Sequence, residues 1–151
     1  MAQHPPPDVL AVFDAMPKPQ RIRLRAIREL IFAAADATGT APLTETLKWG
    51  QPAYLPLRKH GTTVRLGWKP ASLDLCGLYV HCQTGLIDRF RQLYPDEFAY
   101  EGNRAVLIPV AGAFAEAALQ QVAAMALTYH RDKRRVQVNP GASAPRIHCR
   151  K

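Results

Sequence analysis

Apolar residues recur at helical spacing across residues 19–38, and this pattern constrains the fold more than any other feature of the sequence. Gly39 follows as a candidate helix C-cap. The opposite side of the same segment carries Arg21, Arg25 and Arg28. A contact with phosphate or carboxylate is one interpretation of this stripe, but nearby acidic residues favour a solvated charged face. The sequence therefore predicts a long helix with one buried side, formed by Leu24, Ile27, Leu30, Ile31 and Ala34.

The rest of the chain predicts strands and shorter helices. Residues 62–69 alternate apolar and polar side chains, as a half-buried strand does, and residues 73–82 are apolar on both faces, as an interior strand is. We expect these two strands to pair as a hairpin, and residues 98–110 to form another around a turn at Gly102 and Asn103. Further helices are predicted after Asp8 and over residues 86–94 and 113–131.

These elements predict one α/β domain of the α+β type. We expect an antiparallel sheet of about four or five strands with helices packed chiefly on one face. A chain of 151 residues fits one domain and can bury roughly 70% of the surface that its unfolded form exposes. The expected organisation is a lead-in with a short helix at 1–18, the domain at 19–131 and a flexible basic tail at 132–151.

Hydropathy and cysteine content indicate the compartment. No apolar run approaches the roughly 20 residues that a membrane-spanning helix needs, so no membrane partner is expected. The first eight residues lack the basic start and apolar stretch of a secretory signal, and the expected location is the cytoplasm. Three cysteines do not suggest a disulfide framework.

The positive charge of the chain lies mainly at its carboxyl end. The formal net charge is +8, of which residues 131–151 hold seven basic and one acidic residue, so the rest of the chain is nearly balanced. Such a tail attaches weakly and without sequence preference to nucleic-acid phosphates, although it contains no Phe, Trp or Tyr for base stacking. A solubilising tail is the alternative interpretation. The candidate nucleic-acid contacts are Arg131, Lys133, Arg134 and Arg135.

Residues 45–55 combine charged side chains, aromatic rings, and a glycine and a proline that interrupt the regular backbone. Gly50 frees the backbone and Pro52 fixes its own φ, so we expect a helical turn that ends near Trp49 and is followed by an extended segment. Glu45 and Lys48, three residues apart, would share a helical face and pair. The bend is a candidate rim of a pocket.

This stretch also carries a family resemblance. Glu45-Thr-x-Lys-Trp-Gly-x-Pro-x-Tyr54, together with Tyr79-Val-His81, the predicted helix near Ile87 and the segment 102–109, resembles the YdhG-like family, the domain of unknown function numbered 1801. The resemblance implies a small bacterial α/β domain, usually without an assigned activity. Some members are described as frataxin-like iron chaperones, so the resemblance also implies iron as an alternative cofactor.

A small-ligand site is the functional prediction. Aromatic side chains offer flat apolar surface with polar tips, and basic side chains hold an anion while a carboxylate orients one of them. We predict non-enzymatic binding of a small anionic or apolar molecule. A structural cluster is the alternative, because aromatic residues near a proline bend commonly serve packing. The candidate residues are Glu45, Lys48, Trp49, Tyr54, Tyr79 and Arg104.

Metal binding and catalysis find less support in the sequence. No Cys-x-x-Cys or His-x-x-x-His pair is present, and Cys76 and Cys82 on one continuous strand would stand about 20 Å apart. No nucleophile elbow or phosphate-binding glycine loop occurs, so we lean towards a protein that is not an enzyme. The oxygen ligands that iron delivery needs are sparse and have arginines close by in sequence, namely Asp88, Asp96, Glu97 and Glu101.

Overall fold

A computed structural model describes residues 3–138, with the backbone alone for 135–138. Its α-helices are α1 (Pro7–Asp14), α2 (Lys18–Thr38), α3 (Leu86–Leu93), α4 (Glu116–Leu127) and α5 (Tyr129–Val138). Its strands are β1 (Thr44–Lys48), β2 (Gln51–Leu55), β3 (Val64–Trp68), β4 (Leu75–Tyr79), β5 (Ala99–Glu101) and β6 (Ala105–Pro109). Short 3₁₀ turns span Leu57–Lys59 and Cys82–Thr84. None of the helices in this part of the chain has the length and apolar character to cross a membrane.

The strands form one antiparallel sheet in the order β1-β2-β3-β4-β6-β5. The α+β class is confirmed, with six strands where the sequence predicted about four or five. Both predicted hairpins, β3 with β4 and β5 with β6, are present. The additional pair is β1 with β2, in the segment for which the sequence predicted a helical turn.

Helix α2 is the element that the sequence predicted best. It begins at Lys18, one residue before the predicted start, and ends at Thr38, where Gly39 adopts the left-handed conformation with φ 72° and donates its N–H to Ala35. The last predicted helix is divided instead, because α4 ends at Leu127 and α5 begins at Tyr129. Helix α5 continues beyond the predicted tail boundary to Val138, and residues 139–151 lie outside the described part of the chain.

Period-two alternation gives the sheet two different faces. One face packs against α1–α4 and forms the core with residues such as Val64, Leu66, Leu78 and Val106. The neighbouring positions point the other way. We call that second side the open face; on the central strands it carries Arg65, Gly67, Gly77, Tyr79 and Leu107.

A buried ion pair joins the helical layer to the sheet. The Arg28 Nε and Nη2 atoms donate to the two carboxylate oxygens of Glu45 at 2.6 and 2.7 Å, and the two side chains are only 2% and 1% exposed. Arg28 also donates to the carbonyl of Gln3 and lies over the ring of Phe32. Two predictions are therefore wrong: Arg28 is not on a solvated face, and Glu45 does not pair with Lys48. On a strand, residues three apart point to opposite faces.

Tyr54 completes this buried cluster. Its ring is fully buried and meets Phe32 edge-to-face at 5.8 Å between centroids. Burial raises the pKa of Tyr54, and the nearby Glu45 carboxylate raises it further. No described atom completes a hydrogen bond to the hydroxyl. The phenol is therefore neutral and belongs to the core.

Glu45→Gln should lower the free energy of unfolding by about 3 kcal/mol, because it leaves the Arg28 charge buried without a counter-charge. Urea unfolding followed by circular dichroism measures this. The matched control is Glu29→Gln. The Glu29 carboxylate lies 3.7 Å from the Arg28 guanidinium, but its side chain is 60% exposed. This variant should change the free energy of unfolding by no more than about 1 kcal/mol. Equal losses for the two variants would contradict this account of the pair.

Candidate functional site

The β1–β2 hairpin ends in a tight turn that holds Trp49 outside the fold. Lys48 pairs with Gln51, and the two loop residues Trp49 and Gly50 have φ of 56° and 73°. Two positive φ values in a two-residue loop are the signature of a type I′ turn, which usually takes Asn-Gly. The left-handed conformation of Trp49 costs about 1 kcal/mol of conformational free energy. Its side chain is nevertheless 90% exposed.

A groove of about 670 Å³ opens beside this turn, and we call it the hairpin groove. Four lysine or arginine side chains, one tryptophan and one tyrosine contribute to its walls. Not one Asp or Glu is among the lining residues. The lining side chains that carry charge, imidazole or an aromatic ring are Lys48, Trp49, Lys59, Arg65, His81, Tyr129, His130 and Lys133.

The loop between β2 and β3 positions Lys59. Arg58 and Lys59 both have positive φ, at 53° and 55°, which is a strained conformation for residues with side chains. The following Gly61 lies so close to helix α4 that a Cβ there would stand 2.2 Å from the Leu127 carbonyl carbon. The Thr62 N–H also donates to the carbonyl of Ala126 at 2.9 Å. The loop is therefore held tightly against the helix end, with the Lys59 side chain beside the groove.

Helix α5 supplies the opposite wall. The Arg131 N–H donates to the His60 carbonyl at 2.8 Å, and its guanidinium donates to the Thr38 carbonyl at 2.6 Å. These bonds hold the first turn of α5 against the body, so that Tyr129, His130 and Lys133 line the groove. Burial lowers the pKa of His130, and the charge of Lys133 lowers it further, as does that of Arg134.

The predicted ligand residues are distributed over three places. Glu45 and Tyr54 lie in the core, and Lys48 and Trp49 line the hairpin groove. A second cavity of about 370 Å³ on the open face is lined by Tyr79 and Arg104. Residues 45–54 are divided between core and groove because successive side chains of a strand point to opposite faces of the hairpin.

The predicted nucleic-acid residues also separate. Arg131 is half-buried and engaged with the body, whereas Lys133 lines the groove and Arg134 is exposed. The side chain of Arg135 lies outside the described residues. The cations Lys59 and Arg65 were missed as site residues, because loop closure and strand pairing bring them to the groove from separate segments.

The remaining chemistry of the described residues is sparse. Within residues 3–138, no three or more His, Cys, Asp or Glu side chains are grouped closely enough to hold a metal ion. Of the carboxylates proposed for iron, Asp88 pairs with Arg91 at 3.1 Å and Glu101 with Lys69 at 2.5 Å. Burial raises the pKa of the Cys76 thiol to about 12, which leaves it protonated and unreactive.

No protein-family model matches the chain, and neither the curated proteins nor the solved structures include a significant match.

Trp49→Asn should raise the free energy of unfolding by about 0.5–1 kcal/mol, because asparagine adopts the left-handed conformation at lower cost than tryptophan. Thermal and urea unfolding measure the change. Trp68→Phe, at a half-buried position packed on the core, is the comparison and should be neutral or destabilising. A loss of more than about 1 kcal/mol in Trp49→Asn would mean that the exposed indole stabilises the fold.

Proposed function

We propose that this protein binds a small anionic ligand bearing a flat ring in the hairpin groove, without chemical conversion. The observation that carries the proposal is the charge of the groove: four cationic side chains line it and no carboxylate does. Lys48, Lys59, Arg65 and Lys133 make no salt bridge to a described residue. Unpaired cations gathered on one concave surface attract a negatively charged partner.

The exposed indole supports a ligand that also carries a ring. Trp49 packs against nothing that would account for its position, since it is 90% exposed and at a strained φ. Backbone strain combined with an exposed large aromatic is typical of binding sites. Tyr129 contributes a second ring to the same groove. A ligand with an anionic group and an aromatic plane would use both the cations and the rings.

The remaining sequence predictions fit this proposal but do not add to it. The resemblance to the YdhG-like family and the cytoplasmic location stay predictions. Glu45 and Tyr54, which belonged to the predicted site, are replaced in the proposal by Lys59, Arg65 and Lys133. Iron delivery has no support from the arrangement of carboxylates in the described chain.

The proposal is tested with 1-naphthalenesulfonate, which has a flat ring system and one anionic group. The protein has two tryptophans, so a Trp68→Phe background leaves Trp49 as the only indole and its fluorescence reports binding. We expect saturable quenching, with Lys59→Gln and Lys133→Gln each weakening binding about fivefold, roughly 1 kcal/mol.

Lys18→Gln is the matched control, because Lys18 is an exposed lysine at the start of α2 that does not line the groove. The neutral 1-naphthalenesulfonamide tests the need for charge. Binding that is equal for the sulfonamide, or equally weakened by Lys18→Gln, would refute the proposal.

Affinity for 1-naphthalenesulfonate should rise as the pH falls from about 7 to about 5. Burial and the charges of Lys133 and Arg134 lower the pKa of free His130, so this imidazole is neutral near pH 7. A bound anion offsets those charges and raises the pKa, so binding takes up a proton and lower pH favours the complex. Titrations across this range measure the slope, and His130→Gln should reduce it. If the pH dependence of binding were the same in His130→Gln, proton uptake by His130 would not be its cause.

A further inference from the structure

The open face continues the hairpin groove across the sheet. Arg65 lines both the groove and the second cavity, so the two concavities meet at this side chain. Its guanidinium forms no salt bridge with a described carboxylate; it donates to Gln51 Oε1 at 3.1 Å and lies 5.8 Å from the centre of the Tyr79 ring. The surface therefore extends from Trp49 at one end to Arg104 at the other.

At the centre of this surface, the Tyr79 side chain lies close to two paired glycines. Gly67 pairs with Gly77 across β3 and β4. A Cβ at Gly77 would stand 2.9 Å from Cε2, Cζ and the hydroxyl oxygen of Tyr79. One at Gly67 would stand 2.4 Å from the Gln51 side-chain nitrogen and 3.3 Å from Tyr79 Cε2. The Tyr79 side chain therefore covers Gly77 closely and shares the cover of Gly67 with the Gln51 amide, and Tyr79 itself is half-buried and lines the second cavity. A flat aromatic ring on a sheet is a platform on which another planar group stacks.

The surface carries mostly positive charge. Of the twelve acidic residues in the chain, Glu101 alone lines either cavity, and it already pairs with Lys69 at 2.5 Å. The two linings carry six lysine or arginine side chains: Lys48, Lys59, Arg65, Lys69, Arg104 and Lys133. Residues 1–130 hold 13 basic and 11 acidic residues, of which five basic residues and one acidic residue line this surface, so the surface is more basic than the rest of that segment.

We propose that this surface binds single-stranded nucleic acid, with bases stacked on Trp49 and Tyr79 and phosphates held by the cations between and beside them. The inference rests on the same cations and the same Trp49 indole as the proposed function, because the hairpin groove forms one end of the surface. A single strand can stack its bases on aromatic rings while a row of cations contacts its phosphates. In a duplex the bases are stacked on one another and are not free to do so. Six strands about 4.8 Å apart make the face about 24 Å wide, enough for several nucleotides.

The test measures fluorescence anisotropy of labelled oligothymidylates of about 4 and about 12 nucleotides with the full-length protein. The longer strand should bind at least tenfold more tightly than the shorter one, and a duplex of equal length should bind more weakly. Tyr79→Leu, which still covers the glycines, and Trp49→Asn should each weaken binding about tenfold. Tyr79→Phe, which keeps the ring, should bind as the wild type does.

Salt dependence separates phosphate contacts from stacking. Lys59→Gln should reduce the slope of log affinity against log salt by about 0.7, whereas the ring variants should leave the slope unchanged. Oligothymidylate binding that is insensitive to both Tyr79→Leu and Trp49→Asn would place the contact on the basic carboxyl end and overturn the inference. The inference would also be overturned if heparin, a polyanion without bases, displaced the oligothymidylate as effectively as unlabelled oligothymidylate does.

The two proposals fail differently. Tyr79 does not line the hairpin groove, so Tyr79→Leu should leave 1-naphthalenesulfonate binding unchanged. Retained naphthalenesulfonate binding without length-dependent oligothymidylate binding overturns the nucleic-acid inference alone. Oligothymidylate binding with the expected variant effects, but without naphthalenesulfonate binding, overturns the small-ligand proposal alone.

Discussion

The buried pair of Arg28 and Glu45 is the interaction on which the geometry of the site depends. It ties the middle of α2 to strand β1 through two hydrogen bonds in a place closed to solvent. A slip of β1 by one residue would turn Glu45 outward and strand the Arg28 charge in the core, which is strongly unfavourable. The pair therefore fixes the register of β1 and, through it, the direction in which the hairpin tip projects.

That register divides one short motif between two tasks. Glu45 and Tyr54 point inward and stabilise the joint between helix and sheet, while Lys48 points outward and Trp49 stands at the tip. The same alternation along β3 and β4 places Arg65 and Tyr79 on the open face opposite the core residues Val64 and Leu78. Charge and aromatic surface collect on the open side because the helices occupy the other one.

The elements specified by local patterns were predictable from the sequence. Helix α2, its Gly39 cap and strand β3 each follow from spacing within one segment. Strand β1 was mistaken for a helical turn because Gly50 and Pro52 suggested a helix that ends near Trp49. The partner that decides the structure, Arg28, lies 17 residues before Glu45. The Trp49 turn lacks the usual asparagine, so its type could not be read from composition.

The site itself was only partly predictable, for a related reason. Lys48 and Trp49 were identified from the motif, but Lys59, Arg65 and Lys133 meet them through loop closure, strand pairing and the docking of α5. These are long-range events that leave no periodic signal. Glycines at 67 and 77 are likewise ordinary in the sequence, and their purpose becomes visible only where Tyr79 lies across them.

The most direct test of the central claim is a map of backbone and side-chain amide shifts in the isotope-labelled protein on addition of 1-naphthalenesulfonate. The claim is that the ligand-binding side of the motif faces away from the core that holds Arg28, Glu45 and Tyr54. The account predicts shifts at the Trp49 indole N–H, at Lys59 and at Arg65, and none at the α2 residues Leu24 and Ile31. Shifts concentrated on α2, with an unchanged Trp49 indole, would contradict it.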